Sequence, residues 1–260
     1  MKKVYPVKLL CRLMGVGRSG FYEHLRRRER DPDPEHEEKL ANTDMTTYSA
    51  FARAAWGRDA ILVDFDGTLY HQAPVRMLMA LELLLFGPGV VQPLRRFRIE
   101  QERLRRLPQN RREVGDTDGS PFQRQLINAA ADSGITPEKM QAIVEEWMFR
   151  RPGKWLSRFV RRQLVGDLRA SRTAGVKLAV VSDYPVRRKL AALTLPLDFD
   201  VLVANGEPGG PKSLKPDPEG YLLAAENLGA APPKCLVVGD RDDVDGVAAR
   251  RAGMSFLLVR

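Results

Sequence analysis

Five short apolar runs, separated by longer stretches of helical periodicity, organise this chain from Ala60 onward. The runs are Ala60 to Asp64, Lys177 to Ser182, Asp200 to Ala204, Cys235 to Gly239 and Ser255 to Val259. Strand-like runs alternating with helical patterns predict an α/β fold built on a doubly wound parallel sheet. Between the first and second runs lie about a hundred residues, far more than a simple strand-to-helix connection needs. Within them apolar residues recur at helical spacing in Val75 to Leu85, Val90 to Leu107, Phe122 to Ala131 and Met140 to Met148. Gly134 is placed to stop one of these helices, and Thr136-Pro137-Glu138 to start the next. The insertion is therefore expected to be a separate helical cap. No comparable insertion fits between Ala204 and Lys215.

The ends of the runs carry the candidate chemistry. The first passes directly into Asp64-Phe65-Asp66-Gly67-Thr68, two carboxylates one residue apart followed by a glycine and a hydroxyl. Gly67 suggests that the chain leaves the sheet there, bringing backbone amides and the Thr68 hydroxyl close to an anion. Crowded carboxylates resist joint ionisation unless a cation lies between them or one keeps a proton. On that basis Asp64 is a candidate nucleophile toward phosphorus, and Asp66, with its pKa raised by its neighbour, a candidate acid for the leaving oxygen. An ordinary Asp-Gly turn after a buried strand is the competing explanation. The second run ends in Ser182; Lys215 sits in Ser213-Leu214-Lys215-Pro216-Asp217-Pro218; the fourth run ends in Gly239-Asp240, with Asp242, Asp243 and Asp245 following. In an open parallel sheet the carboxyl ends of strands gather at one edge, so these residues are expected to meet there.

This order of nucleophile, hydroxyl, lysine and acid cluster resembles the haloacid dehalogenase-like superfamily of phosphohydrolases, over about Ala60 to Arg260. The resemblance implies a Rossmann-like core with an all-helical cap inserted after the first strand. It implies an aspartyl-phosphate on Asp64, Asp66 as general acid and later base, and Ser182, Lys215 and Thr68 around the phosphoryl group. It also implies Mg²⁺ bound by the Asp64 carboxylate, the Asp66 carbonyl, Asp240 and Asp245, with Asp243 an alternative to Asp245 and Lys212 a competitor of Lys215. Where the family usually has serine after its metal-binding aspartate, this chain has Arg241. Relatives that cleave carbon–halogen bonds generally lack the second aspartate, so Asp66 favours phosphate chemistry.

Charge divides the chain further. Residues 71–175 hold 19 Lys+Arg against 11 Asp+Glu, most of the net +9 of the chain. The arginines cluster at Arg95, Arg96, Arg98, Arg103, Arg105, Arg106, Arg111 and Arg112, and again around Arg150 to Arg162; they form either a solvated helical surface or a field that steers an anionic substrate. Residues 1–30 carry nine Lys+Arg and two Glu. Apolar stripes on either side of Gly15-Val16-Gly17 give a helix-turn-helix pattern. The wording of residues 5–28 is similar to the amino-terminal region of the second reading frame of insertion-sequence transposases. Residues 31–44 form an acidic linker. The division expected is a transposase-like remnant and linker at 1–44, a catalytic core at 45–70 and 166–260, and a cap at 71–165.

At 260 residues the chain is long enough for a core and a cap with a sizeable apolar interior. Neither a signal peptide nor a membrane span is evident, which points to a cytoplasmic protein. Cys11 and Cys235 lie in different segments and suggest no disulfide or metal site. Two functions compete: a Mg²⁺-dependent phosphatase of a small phosphorylated metabolite, with a phosphotransferase as its close variant, and a DNA-binding, transposase-derived protein with a passive phosphatase-like domain. DNA binding by residues 1–30 competes in turn with a vestigial appendage. Mass-spectrometric mapping of the native amino terminus is expected to find Met45; abundant intact protein beginning at Met1 is the contrary result.

Overall fold

Alternate residues of one strand supply two different cores. The computed structural model describes residues 51–106 and 120–259, and within them β1 (Ala60–Asp64) is buried along its whole length. Successive strand side chains point to opposite faces. Ile61 and Val63 accordingly enter one apolar cluster, while Ala60 and Leu62 enter another. A strand that is apolar at nearly every position suits a sheet covered on both sides.

Helices provide that cover. Between β1 and β2 (Lys177–Ser182) lie α1 (Gln72–Phe86), α2 (Val91–Arg106), α3 (Pro121–Ser133), α4 (Pro137–Val144), α5 (Arg151–Leu156) and α6 (Arg162–Thr173), with a π-helical turn at Glu145–Arg150. After β2 come α7 (Arg187–Leu193), β3 (Val201–Ala204), α8 (Glu219–Leu228), β4 (Cys235–Gly239), a second π-helical turn at Asp242–Gly246, α9 (Val247–Arg251) and β5 (Ser255–Leu258). All strand pairs are parallel, in the order β3-β2-β1-β4-β5. Leu164, Val165 and Leu168 of α6 and Leu193 of α7 pack on one face of the sheet, and Tyr221, Ala224 and Leu228 of α8 with Ala248 and Ala249 of α9 on the other. The doubly wound sheet with a helical insertion after its first strand is thus present.

Strand boundaries follow the expected ones to within a residue. β3 begins at Val201, and just before it Asp200 pairs with Leu178 through its N–H at 2.9 Å and through its carboxylate, which accepts the Leu178 N–H at 2.8 Å and also pairs with Arg172 at 2.9 Å. In the insertion, α3 starts with a capping box between Ser120 and Gln123 and stops at Gly134 in the left-handed conformation. Thr136 then caps α4, with Pro137 in its first turn. Leu94, Phe97, Phe122, Leu126, Met140 and Val144 bury a core of their own. The chain enters and leaves this helical cap through adjacent segments: the His71 N–H donates to the Phe159 carbonyl at 2.8 Å, and the Arg161 N–H to the Leu69 carbonyl at 3.0 Å.

The helix-turn-helix and linker expected at residues 5–44 lie outside the described residues, as do Arg111 and Arg112. No single helix among the described residues is long and apolar enough to cross a membrane.

Leu178 is fully buried against β1, so Leu178→Ala is expected to cost about 2–5 kcal/mol. A urea titration followed by circular dichroism would show it as a lower midpoint with an unchanged native baseline.

Candidate active site

Because β2, β1 and β4 are neighbours, Ser182, Asp64 and Asp240 leave the sheet side by side. Asp64 is the last residue of β1, Ser182 the last of β2, and Asp240 follows the last residue of β4. Asp245 joins them by a local distortion. In the π-helical turn after β4 the N–H groups of Asp245 and Gly246 both donate to the Arg241 carbonyl, at 2.8 and 3.2 Å. Asp245 is buried by this winding, whereas Asp242 and Asp243 remain outside, paired with Arg250 at 2.8 Å and Arg241 at 2.7 Å. Asp64, Asp240 and Asp245 then each offer a carboxylate oxygen within 4.8 Å of the others. Two glycines make room for the approach. A Cβ on Gly67, whose φ is +98°, would lie 2.0 Å from Asp240 Oδ2, and one on Gly239 would lie 2.6 Å from the Cβ of Asp245.

So much buried negative charge requires a cation. Lys215 Nζ donates to Asp64 Oδ1 and, at 2.7 Å, to Asp245 Oδ1. Its own pKa is raised: burial opposes its charge, but Asp245 and Asp64 more than offset that. The Tyr221 hydroxyl donates to Asp245 at 2.9 Å, and the Thr68 hydroxyl to Asp64 Oδ2 at 3.0 Å. Even so, the Asp64 carboxyl is pushed up to about 8, first by burial and then by Asp245 and Asp240, with Lys215 pulling the other way. Asp240 is raised by burial and by Asp245. One lysine leaves the cluster short of positive charge. Three carboxylates converging on a small space form an all-oxygen donor set suited to a hard divalent cation such as Mg²⁺, so the residues present fit that metal.

Asp66 departs from expectation. Its pKa is lowered instead of raised: burial would raise it, but Lys189 and the Tyr70 hydroxyl overcome that effect. Lys189 Nζ lies 2.6 Å from Asp66 Oδ1 and also reaches Oδ2, and the Tyr70 hydroxyl donates to Oδ1. The raised carboxyl of the pair is Asp64. The Asp66 carboxylate is also absent from the three-carboxylate group, which leaves its carbonyl as the atom the resemblance assigned to metal.

Ser182 is buried, and its Oγ accepts the N–H of Tyr184 at 3.2 Å. Tyr184 leaves the sheet and completes the apolar core of the cap. Its ring centroid lies 6.1 Å from that of Phe97, 6.2 Å from Phe149 and 6.5 Å from Phe122, and its hydroxyl donates to Gln101 at 2.6 Å. Burial pushes this phenol up to about 12. Two further bonds join cap to core: Arg105 pairs with Asp183 at 2.6 Å, and the Phe122 N–H donates to Asn205 at 2.9 Å. The other oxygen of Asp183 accepts the backbone N–H of Lys215 at 3.1 Å.

The expected residues Asp64, Thr68, Ser182, Lys215, Asp240 and Asp245 therefore converge at one sheet edge. Lys212 is exposed and remote from this arrangement in bonding, its amide engaged by Glu219. Sequence reasoning overlooked Lys189, Tyr221 and Tyr184. Lys189 had one visible signal, a cation three residues after Val186 and four before Leu193, on the buried side of α7.

Comparison with known proteins agrees with the architecture. A family model described as haloacid dehalogenase-like hydrolase matches residues 58–253. The 5-amino-6-(5-phospho-D-ribitylamino)uracil phosphatase YigB of Escherichia coli is 30% identical over 206 residues, which cover 77% of this chain and 83% of that protein. The phosphoglycolate phosphatase of Aquifex aeolicus and the Bacillus subtilis protein YhcW are each 42% identical, but the match covers 35% of this chain and only 42% and 41% of those proteins. Among solved structures, a dehalogenase with an intermediate complex has a TM-score of 0.52 at 18% identity, covering 78% of this chain and 85% of that one; this likeness concerns the fold. On the match from residue 58 to 253, the chain belongs to the haloacid dehalogenase-like hydrolases.

Proposed function

We propose that this hydrolase is a Mg²⁺-dependent phosphatase of small phosphomonoesters that works through an aspartyl-phosphate on Asp64. The observation that carries the reading is the convergence of the buried Asp64 and Asp245 with the half-buried Asp240 at the carboxyl end of the central strand, with Lys215 bonded to the first two. Asp64, Asp240 and Asp245, with the Asp66 carbonyl, would hold the metal. When bound, Mg²⁺ supplies positive charge to the phosphoryl oxygens and relieves the repulsion among the carboxylates.

Asp64 attacks phosphorus in line, a P–O bond forms to its carboxylate, and the bond to the leaving oxygen breaks. Asp66, which must first take up a proton against the pull of Lys189 and the Tyr70 hydroxyl, gives it to that oxygen. In the second half Asp66 takes a proton from water, whose oxygen bonds to phosphorus as the Asp64–phosphorus bond breaks, releasing inorganic phosphate. Thr68 and Lys215 fix the Asp64 carboxylate through bonds to its two oxygens. Lys215 and Ser182 also neutralise and hold the transferring group. The presence of Asp66 supports phosphate over halide as the leaving chemistry, since an alkoxide needs a proton and a halide does not.

The cap selects the substrate in this reading. Arg76 of α1 has a pKa lowered by enclosure and by the like charge of Arg98 on α2, while Asp66 and Asp240 act on it in the opposite sense. Arg76 is within electrostatic reach of Asp66 and Asp240 and would favour an anionic substrate. The names of the relatives make phosphorylated ribityl compounds and 2-phosphoglycolate the first substrates to try.

A phosphorylated-metabolite panel with and without Mg²⁺ tests the proposal. Phosphate release is expected only with Mg²⁺, and Asp64→Asn is expected to abolish it while the protein stays folded; Mg²⁺-independent release, or an active Asp64→Asn, would overturn the mechanism. In thermal unfolding, Mg²⁺ at a hundred times its dissociation constant should stabilise the wild type by about 2.7 kcal/mol. Asp240→Asn is expected to lose most of that increment. Gly67→Ala, which drives a methyl group into the Asp240 carboxylate, is expected to lose it as well.

A further inference from the structure

Lys189 is an expensive residue to place where it stands. Only 4% of it is exposed, on the inner side of α7, where an apolar residue would fill the space without losing the hydration of a charge. Its ammonium group is enclosed on several sides. Asp66 accepts from it with both oxygens. The Phe65 ring, between the two aspartates, lies 5.1 Å away, and the Phe149 ring, from the π-helical turn of the cap, lies 5.8 Å away. Aromatic faces attract a cation electrostatically, the more so when water is excluded.

This enclosure has a direction. With both oxygens on one ammonium group and Oδ1 also taking the Tyr70 hydroxyl, the Asp66 carboxylate has its torsion fixed by two side chains, one from α7 and one from the segment after β1. Among the described residues, the side-chain bonds to that carboxylate come from Lys189 and Tyr70 and not from the group around Lys215. The α7 helix is itself tied to the cap, through Arg188 and Glu145 at 3.1 Å and through the close approach of Gly153 to Ala192.

We propose that Lys189 is a positioning residue for Asp66: it holds the carboxylate in the orientation from which it takes a proton from the attacking water, and its contact with Phe149 makes that orientation depend on a seated cap. This inference deepens the phosphatase reading and rests on it for the identity of the step. In that step the water proton goes to Asp66, the water oxygen bonds to phosphorus, and the bonding pair of the broken Asp64–phosphorus bond returns to Asp64.

The test compares wild type, Lys189→Met, Asp66→Asn and the double variant. With p-nitrophenyl phosphate and Mg²⁺, the leaving group needs no proton, so only the water step should depend on Asp66. Lys189→Met is then expected to lower kcat by about tenfold or more, to lower KM with it so that kcat/KM changes by less than about threefold, and to show a burst of p-nitrophenolate approaching one per enzyme. The double variant should turn over no more slowly than Asp66→Asn. A fall in kcat/KM as large as the fall in kcat without a burst, or losses that multiply in the double variant, would overturn the proposal. A urea-unfolding cycle on the same four proteins needs no activity. Lys189→Met strands a buried carboxylate, and the midpoint it loses should be partly regained once Asp66 is also neutral. If wild type fails to cleave p-nitrophenyl phosphate, the phosphatase reading fails, and this cycle alone decides whether Lys189 is coupled to Asp66: additive midpoints would refute the coupling.

Discussion

Mutual repulsion among Asp64, Asp240 and Asp245 is the constraint around which the rest of the structure is arranged. Carboxylates this close and this buried favour protonation unless something positive is near, and the fold answers with Lys215 delivered between two of them. Several local features follow from the need to assemble this group. The winding after β4 turns Asp245 inward past two aspartates that stay in solvent, two glycines remove the Cβ atoms that would obstruct the approach, and Tyr221 from α8 fixes the acid least accessible to water. A parallel sheet with its central strand buried on both sides gives these pieces a rigid common edge.

Charge pairing also distinguishes the two aspartates of the first strand. Separated by one residue, they occupy different electrostatic worlds: Asp64 among carboxylates, Asp66 against the ammonium group of Lys189. Burial and the neighbouring carboxylates favour the protonated form of Asp64, whereas Lys189 and the Tyr70 hydroxyl favour the ionised form of Asp66.

Much of the fold was legible from pattern. The five strands were visible because a doubly covered sheet leaves unbroken apolar runs, and the start of α4 because Thr136 and Pro137 are read by local chemistry alone. The candidate site was legible in the order of its motifs, since Asp64, Thr68, Ser182, Lys215, Asp240 and Asp245 were all named from the sequence and lie at one sheet edge. Asp245 already stood in the expected metal set with Asp243 as its alternative, and the π-helical turn that buries Asp245 and leaves Asp243 exposed was not visible in any periodicity. Asp66 was misjudged because its nearest charge was assumed to be its neighbour in sequence, while the controlling group lies 123 residues away. Contacts of that range belong to tertiary structure.

Tyr184 joins two regions that would otherwise be independent. Its ring belongs to the cap, and its backbone N–H belongs to Ser182, two residues earlier on the sheet. A repacking of the cap to admit a bulkier substrate would therefore pull on the Ser182 hydroxyl, the group proposed to hold the phosphoryl oxygens. Variants selected for new specificity by changing Phe97, Phe122 or Phe149 should then trade against rate unless the position of Tyr184 is preserved, which makes this tyrosine the limit on how freely one cap could be exchanged for another.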